Sequence, residues 1–318
     1  MNRKIFKEQF FIYLEKYAIY IALVLLCIII SIITDKFLTF QNLKLILNQI
    51  SINGILAIGV TFPLITAGID ISIGSVVGLS GVIAALSAPA DSNVPMIVPV
   101  MAALTCGLCI GSFNGFLITK GKLAPYIVTL GMMTIVRGLS LIAAGGRPVS
   151  RLIPTFDFLG NGTIFSIPVP ILIFAIVAVI SHIILKHLKI GRYIYAVGGN
   201  TNAAFASGIS PVKIKFFVHV MSSTLAGLAG IILASRINTG HPNSGAGYEL
   251  DAIAAAVVGG TSLAGGTGGI PGTVIGALII GVIINGLDLM AVSSYWQQVV
   301  KGLIIITSVL IDRNKKRQ

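Results

Sequence analysis

Long apolar runs recur from one end of the chain to the other, and they are the feature that most constrains its fold. A helix needs roughly 20 apolar residues to cross the hydrocarbon core of a bilayer, which is about 30 Å thick. Of the 318 residues, 55% are hydrophobic and only 10% are charged, whereas a soluble domain carries about 25% charged residues. The chain has too little polar surface for a water-soluble protein of this size, and we expect an all-α, polytopic membrane protein.

The apolar runs predict about ten transmembrane helices in a single membrane domain that covers residues 1–318. Two of these runs, 71–88 and 251–265, are short and rich in Gly, Ser and Ala. They are expected to be short or broken helices, and eight crossings with two re-entrant segments are the alternative. The ten predicted spans are 17–34, 45–67, 71–88, 94–119, 123–144, 167–185, 214–235, 251–265, 270–287 and 295–311.

Lysine and arginine are distributed unevenly between the two sides that alternating spans define. With the N-terminus in the cytoplasm, fifteen of these residues fall on the cytoplasmic side and five on the outer side. Cytoplasmic loops of membrane proteins carry an excess of Lys and Arg, so both termini are predicted to be cytoplasmic. The cytoplasmic parts would be the N-terminal segment 1–16, the loop 186–215 and the basic tail 312–318. These loops account for the net charge of +12, and no nucleic-acid partner is expected.

A glycine-rich segment near the C-terminus, Gly260-TSLA-Gly265-Gly266-Thr267, comes close to a phosphate-binding loop. That loop, G-x-x-x-x-G-K-[ST], needs a lysine to reach the outer phosphates, and Gly266 stands at that position. We therefore expect no nucleotide here and interpret the glycines as a break between two apolar segments, where tight turns and close packing are required. Because no catalytic constellation, metal cluster or dinucleotide motif is found in the sequence, we expect no catalytic residues, no metal site and no bound cofactor.

Charged residues at or inside the apolar runs are candidates for function. Asp70, in TAGIDISIGS, has two explanations. It is either the N-cap of a helix that starts at Ile71 at the membrane surface, or part of a pathway, because carboxylates at membrane depth are costly and mark function. Arg137 and Lys301 lie inside predicted spans and either extend to the surface or, for Arg137, form an internal ion pair or anchor a loop.

The segment 241–251 carries two of the few acids, Glu249 and Asp251. We interpret both as residues at the start of a helix, where negative charge interacts favourably with the helix dipole.

Small residues recur at steps of four in Gly107-x3-Gly111-x3-Gly115. Small residues let membrane helices approach closely, so this face is expected to pack tightly against another helix. A weak repeat also links Gly74-Ser-Val-Val-Gly78-Leu79 with Gly272-Thr-Val-Ile-Gly276-Ala277. Each copy follows a helix-breaking stretch, as in transporters that are built from structural repeats.

The basic loop 186–215 contains the pattern of a short helix. Residues 202–207 are followed by Gly208 and Pro211, which are helix stop signals. Such a helix would project Phe205 and could dock into the groove of a partner. The alternative is a solvated connector.

Three stretches resemble the permease subunits of bacterial sugar ABC importers, and in particular the ribose permease family. They are Thr66-Ala-Gly-Ile-Asp-Ile-Ser-Ile-Gly-Ser75, then GRYIYAVGGN at 191–200 and GYELDAIAAAVVGGTSLAGG at 247–266, which IPGTVIGALIIG at 270–281 extends. The similarity runs across nearly the whole chain, although the first dozen residues and the segment 147–165 carry little of it.

The resemblance implies a multi-pass permease of the bacterial inner membrane that imports a monosaccharide, with ribose as the expected cargo. It implies three protein partners: a second copy of the permease, a periplasmic or lipid-tethered sugar-binding protein, and a cytoplasmic ATP-binding cassette subunit that uses the ATP. Alternatives are a same-family permease for xylose, galactose, inositol, autoinducer-2 or a nucleoside, and an ion-coupled secondary transporter that needs no ATPase.

The resemblance also implies roles for two groups of residues. Many ABC importers carry the pattern E-A-A-x-x-x-G in the helix that couples to the ATPase. Here it reads Asn202-Ala203-Ala204-Phe205-Ala-Ser-Gly208. Asn202 replaces the acid, and an amide cannot form the salt bridge that the acid would make. The two glycine-rich blocks are expected to contribute to the translocation path or its gate. The expected residues there are Gly68, Asp70, Ser72, Gly74, Ser75, Gly259, Gly260, Thr261, Ser262, Gly265 and Gly266.

Overall fold

The computed structural model describes the backbone of residues 2–315 and the side chains of residues 18–310. The side chains of the predicted cytoplasmic segments 1–16 and 312–318 lie outside the described residues. The described part is predominantly helical, which confirms the prediction of an all-α membrane protein. The helices are α1 (Asn2–Ile33), α2 (Phe40–Ile65), α3 (Ile73–Leu86), α4 (Ile97–Thr119), α5 (Pro125–Ala143), α6 (Phe158–Asn161), α7 (Val169–Lys186), α8 (Lys189–Gly199), α9 (Thr201–Ala206), α10 (Pro211–Arg236), α11 (Tyr248–Val258), α12 (Ile270–Leu289) and α13 (Ser294–Lys315). A 3-10 turn (Pro154–Asp157) precedes α6, and a short hairpin of β1 (Thr163–Ile164) and β2 (Ile167–Pro168) precedes α7.

Six helices within the described residues are long and apolar enough to cross a membrane: α2, α4, α5, α7, α10 and α12. The predicted spans 71–88 and 251–265 are shorter in the structure, because α3 has 14 residues and α11 has 11. At 1.5 Å per residue these helices are about 21 and 16 Å long, well below the roughly 30 Å of a bilayer core. Within the predicted span 251–265 the helix extends only to Val258, where Gly259 ends α11, so the span is shorter than its predicted bounds and breaks at the glycines as expected.

Helices α2 and α10 form the centre of the fold. In the most apolar windows of these two helices, 72% and 67% of the residues are buried, against 28% in each of α4, α5 and α7. The outer helices expose large apolar side chains, such as Ile32 and Ile142, which are 78% and 77% exposed. Apolar surface of this extent on several helices is unfavourable in water, and it identifies the outer helices as the lipid-facing ones.

The glycines of α4 pack against α10, as the four-residue repeat predicts. A Cβ added to Gly111 would lie 2.8 Å from the carbonyl oxygen of His219, and one added to Gly115 would lie 2.8 Å from the ring of Phe216. A Cβ added to Gly107 would overlap the carbonyl oxygen of Ser223. The prediction of tight helix packing is confirmed, because any larger side chain on this face would push the two backbones apart.

Contacts between α2 and α12 show that these helices run antiparallel and define the two ends of the fold. The hydroxyls of Thr61 and Thr273 are 2.8 Å apart, and the side chains of Asn42 and Asn285 exchange hydrogen bonds of 3.0 and 2.9 Å. The C-terminus of α2 lies beside α8, and we call this the α8–α9 end. At the opposite end, Gly240 is bridged to Val149.

Candidate functional site

The first predicted gate segment starts where α2 ends. The backbone N–H of Ala67 donates to Leu64 at 2.9 Å, and that of Gly68 donates to Pro63 at 2.9 Å. With Ala67 in the left-handed region at φ +58°, this is a Schellman motif, which satisfies the last carbonyls of a helix. Gly68 then lies against α10, where an added Cβ would be 3.3 Å from His219 Cε1. The chain therefore leaves α2 by a sharp turn that is packed on the central helix.

Asp70 lies inside the protein and not at its surface, since its side chain is completely buried. Its Oδ1 accepts hydrogen bonds from the backbone N–H of Ser72 at 3.0 Å and from Ser72 Oγ at 2.6 Å. Asn114 of α4 donates to the same hydroxyl at 3.0 Å. The surface N-cap interpretation is wrong for two reasons: Asp70 is buried, and α3 begins at Ile73 with Ser72 at the N-cap position. The carboxylate instead holds residues 70–72 in a turn ahead of the helix.

A buried histidine completes the polar surroundings of Asp70. His219 is fully buried, and its Nδ1 lies 2.8 Å from the carbonyl oxygen of Lys215. A carbonyl can only accept, so Nδ1 carries the proton and donates. His219 Nε2 and Asp70 Oδ2 are both buried without a hydrogen-bond partner. Unpartnered polar atoms inside a membrane-embedded core are costly, so this cluster is a candidate for function and not for stability.

The second predicted gate segment starts where α11 ends, and it has the same design. The backbone N–H of Gly260, at φ +90°, donates to Val257 at 2.9 Å. The N–H of Thr261 donates to Ala256 at 2.9 Å, which completes another Schellman motif. A Cβ added to Gly259 would overlap the backbone of Gly272 in α12. Thr261 and Ser262 are buried in the loop that follows.

The two predicted gate segments, which we call the glycine segments (68–75 and 259–266), meet at the α8–α9 end. The backbone N–H of Gly266 donates to the last carbonyl of α2, that of Ile65, at 2.8 Å. A Cβ added to Gly265 would lie 2.9 Å from the backbone N of Ala67. Gly265 and Gly266 are therefore next to Gly68. Gly74 and Ser75 lie in α3, where Gly74 packs against the backbone of Gly245.

The segment 241–247 runs inward along α3, where Pro242 lies beside Gly78 and Gly245 lies beside Gly74. Pro242 and Gly245 are buried. Arg137 of α5 holds the segment in place, because its Nη1 donates to the carbonyls of Pro242 at 3.1 Å and Ser244 at 3.0 Å. Among the roles that the sequence left open for Arg137, the structure shows the loop anchor. Glu249 and Asp251 lie in the first turn of α11, as predicted.

Helix α8 joins the basic loop to these glycines. A Cβ added to Gly198 would overlap the carbonyl oxygen of Ile65 and lie 2.8 Å from the backbone N of Gly266. Tyr195 Oη donates to the carbonyl of Gly268 at 2.9 Å. Burial raises the pKa of the Tyr195 phenol, so the hydroxyl keeps its proton and remains a donor. Helix α8 was not predicted from the sequence, although the buried Ile194 and Val197 have the spacing of an amphipathic helix.

The short helix predicted in the basic loop is confirmed as α9, shifted by one residue. Asn200 caps its start, since its Oδ1 accepts from the backbone N–H of Ala203 at 2.9 Å. At its end the N–H of Gly208 donates to Phe205 at 2.9 Å and that of Ile209 to Ala204 at 3.0 Å, again a Schellman motif. Ala204 is buried, whereas Phe205 is 71% exposed. Asn202 and Ala203 are exposed beside it.

A cavity of about 300 Å³, which was not predicted from the sequence, lies between α2, α10, α11, α12 and α13. Beside it, Lys301 Nζ forms an ion pair with Asp251 Oδ2 at 2.8 Å, although the Lys301 side chain is still 31% exposed. This ion pair could have been predicted from the sequence, because two opposite charges inside apolar spans are expected to pair. Asp251 was assigned to the helix dipole alone. The lining residues are Gln49, Ile50, Ile52, Asn53, Leu233, Arg236, Ile237, Tyr248, Asp251, Ala255, Ala277, Ile280, Gly281, Ile284 and Lys301.

Comparison with known proteins places the chain among membrane permeases. Residues 42–309 match the family described as "Branched-chain amino acid transport system / permease component". No solved structure matches the chain.

Curated relatives match over almost their full length. The ribose import permease protein of Haemophilus influenzae is 46% identical, over 92% of this chain and 91% of that protein. The ribose import permease protein of Escherichia coli K12 is 44% identical, over 93% of both chains. The D-allose transport system permease protein of Escherichia coli K12 is 37% identical, over 96% of this chain and 94% of that protein. With a family match that covers most of its length, the chain belongs to this family of transport-system permease components.

Proposed function

We propose that the chain is the membrane-spanning subunit of an ABC importer that moves a monosaccharide, ribose, into the bacterial cytoplasm. The observation that carries this proposal is the identity of 46% and 44% with two ribose import permeases along more than nine-tenths of the chain. A relative named for D-allose at 37% identity makes other monosaccharides the alternative cargo. As a multi-pass protein with apolar, lipid-facing helices, it resides in the inner membrane.

In this proposal the ATP is bound by a separate subunit. A phosphate-binding loop uses free backbone N–H groups and a lysine to hold phosphates. In the segment 260–267, the N–H of Gly266 is already bonded to Ile65, and that of Gly265 is bonded to Ser262 at 3.1 Å. These donors hold two segments of the permease together, which supports a structural role for the glycines.

Helix α9 is the proposed contact with the ATPase subunit. Its exposed Phe205 provides an apolar anchor of the kind that dominates binding energy at protein interfaces. The contacts of α8 with Ile65 and Gly268 connect α9 to the glycine-rich segments behind it. Movement of the ATPase would then reach the membrane region through α8, and the permease would act as a pair with a second copy of itself.

We further propose ten membrane crossings with both termini in the cytoplasm. The excess of basic residues on one side supports this orientation, and the antiparallel packing of α2 and α12 supports alternation. The short helices α3 and α11 would complete their crossings with residues 66–72 and 259–269. The α8–α9 end is then cytoplasmic. The glycine segments would close that end in one state, and the reverse state would release the sugar.

Reconstitution tests this function. The permease, the ATPase subunit and the sugar-binding protein from the same organism are combined in proteoliposomes, and uptake of radiolabelled ribose is measured with and without ATP. We expect uptake that requires all three proteins and ATP. Uptake by the permease alone, driven by a proton or sodium gradient, would contradict the proposal and indicate an ion-coupled transporter.

The phenylalanine variant of Tyr195 tests the connection through α8. Tyr195→Phe removes the hydrogen bond to Gly268 and leaves a half-buried carbonyl without this donor, at a cost of about 1 kcal/mol. We expect roughly fivefold less sugar uptake per ATP hydrolysed, while the amount of permease in the membrane stays unchanged. Tyr193→Phe is the matched control, because Tyr193 lies on the same helix and is 41% exposed. Equal uptake by both variants would remove Tyr195 from the coupling route.

A further inference from the structure

A groove of about 270 Å³ lies between the last turn of α4 and the first turns of α10. The two helices run antiparallel, because Gly115 packs on Phe216 and Gly107 packs on Ser223. Helix α10 begins at Pro211, soon after α9, so the groove lies at the α8–α9 end. Its lining residues are Phe116, Thr119, Lys120, Val212, Lys213 and Phe216.

The groove opens on a lipid-facing surface. Phe116 is 55% exposed, and Met101 and Leu108 are exposed above it on the same side of α4, since steps of seven or eight residues return to one helix face. On α10, Val212 and Phe216 are exposed as well. Large apolar side chains that are exposed together are unfavourable in water, so this face of the protein contacts the bilayer.

The groove has a charged mouth and an apolar floor. Lys120 follows the last residue of α4, and Lys213 is the third residue of α10. Phe116 and Phe216 are four and three residues farther into these helices, which places them about 4.5–6 Å deeper. The walls are almost wholly apolar, so the lysines contribute their aliphatic stems. Lysine side chains with buried stems keep the ammonium group at the polar boundary.

The two ammonium groups have no anionic partner within the described side chains. The only salt bridge among residues 18–310 is that of Lys301 with Asp251. Asp70 is buried and bonded to Ser72. The exposed acids of the same range lie at the opposite end of the fold; they are Asp35, Asp91, Asp157 and Asp288. The groove therefore attracts an anion from outside the chain.

An anionic phospholipid matches the groove in the order of its parts. Its phosphate lies at the membrane surface, and its acyl chains extend into the hydrocarbon core. Basic pockets between transmembrane helices are typical binding sites for anionic lipid head groups. A water-soluble anion could bond to the two ammonium groups, but it would leave the apolar floor without a partner.

We propose that this groove binds one anionic phospholipid. Its phosphate lies between the ammonium groups of Lys120 and Lys213, and one acyl chain packs against Phe116 and Phe216. Because Lys213 is only five residues beyond Gly208, the lipid holds the start of α10 next to α9, the proposed contact with the ATPase subunit. The site depends on the membrane embedding of α4 and α10 and not on the sugar that is transported.

Native mass spectrometry of the purified permease in neutral detergent tests the site. The double variant Lys120→Gln/Lys213→Gln removes both charges. We expect its affinity for phosphatidylglycerol to fall at least about tenfold, since each lysine near the membrane surface contributes to the attraction of an anionic lipid. Its affinity for phosphatidylcholine should not change. Lys186→Gln/Lys189→Gln is the matched control, because these lysines are exposed at the same end but do not line the groove.

A second variant tests the apolar part of the site and keeps both charges. Val212 lines the groove and is 41% exposed, so the indole of Val212→Trp would occupy the space of the acyl chain. We expect phosphatidylglycerol to bind at least about fivefold more weakly, because each buried CH₂ group of an acyl chain contributes to binding. Val212→Leu is the control, and it should bind the lipid as the wild type does.

Several results would overturn the lipid site. Equal affinity of the wild type and Lys120→Gln/Lys213→Gln for phosphatidylglycerol would do so, and equal losses in the two double variants would indicate a diffuse basic surface. Displacement of the lipid by inorganic phosphate would identify a site for a soluble anion. In nanodiscs of phosphatidylcholine alone, weaker binding of the ATPase subunit by Lys120→Gln/Lys213→Gln than by the control would assign the lysines to that partner. None of these measurements uses sugar, so their outcome is independent of the proposed transport function.

Discussion

The substitution Gly198→Ala is expected to reduce sugar uptake at least about tenfold, although it adds a single methyl group. The added Cβ would overlap the carbonyl oxygen of Ile65 and lie 2.8 Å from the backbone N of Gly266. These two atoms form the hydrogen bond that joins α2 to the second glycine segment. Extra atoms in a packed interior typically cost about 1–3 kcal/mol. Here the obstacle is backbone, which cannot rotate away as a side chain can, so we expect the upper part of that range, and 1.4 kcal/mol already corresponds to a factor of about ten.

The neighbouring glycine provides the control for this experiment. A Cβ added to Gly199 meets nothing within 4 Å, so Gly199→Ala places the same methyl group on the same helix without a clash. Uptake and the amount of permease in the membrane are measured for both variants. We expect Gly199→Ala to behave as the wild type. Normal uptake by Gly198→Ala would mean that α8 can move away from Ile65 without loss of transport, and that the close contact is not part of the coupling route.

Local features of the fold could be predicted from the sequence because they depend on local chemistry. The run 94–119 became α4 (Ile97–Thr119) with little change, since apolar length alone specifies a membrane helix. The break after α11 was foreseen from its glycines, because few other residues adopt the positive φ of Gly260. The helix in the basic loop was foreseen from Gly208 and Pro211, and its observed end is one residue from the predicted one.

Features that depend on contacts between distant residues could not be predicted. Asp251 and Lys301 are 50 residues apart in the chain, and each had an adequate local explanation, one as a helix N-terminal acid and the other as a snorkelling side chain. The hydrogen-bond network of Asp70 includes its neighbour Ser72, but also the distant Asn114 of α4, which donates to the Ser72 hydroxyl. The cavity needs five helices at once. The residues of one chain do not by themselves indicate which of its helices are neighbours.

Gly208 ends the helix that is proposed to contact the ATPase subunit. Gly208→Val is expected to reduce ribose uptake at least about tenfold, while the permease still inserts in the membrane. Gly208 has φ +83°, and an added Cβ would meet nothing within 4 Å. The substitution therefore creates no clash, and its whole effect comes from the backbone. The left-handed region raises the conformational free energy of a residue other than glycine by about 1–2 kcal/mol. A β-branched residue such as valine is rarely found there.

Comparison with Gly208→Asn isolates the backbone as the cause. Asparagine is tolerated at this position of a Schellman motif, so it should keep the bonds of Gly208 to Phe205 and of Ile209 to Ala204, and with them the position of Phe205. We expect the asparagine variant to transport within about twofold of the wild type, well below the tenfold effect of 1.4 kcal/mol. Binding of the ATPase subunit to permease in nanodiscs is measured alongside uptake. If valine and asparagine reduced uptake equally, the loss would follow from any side chain at residue 208, and direct contact of Gly208 with the ATPase would replace helix termination as the explanation. If valine alone reduces both binding and uptake, the shape of α9, and not the chemistry of Gly208, is what the ATPase recognises.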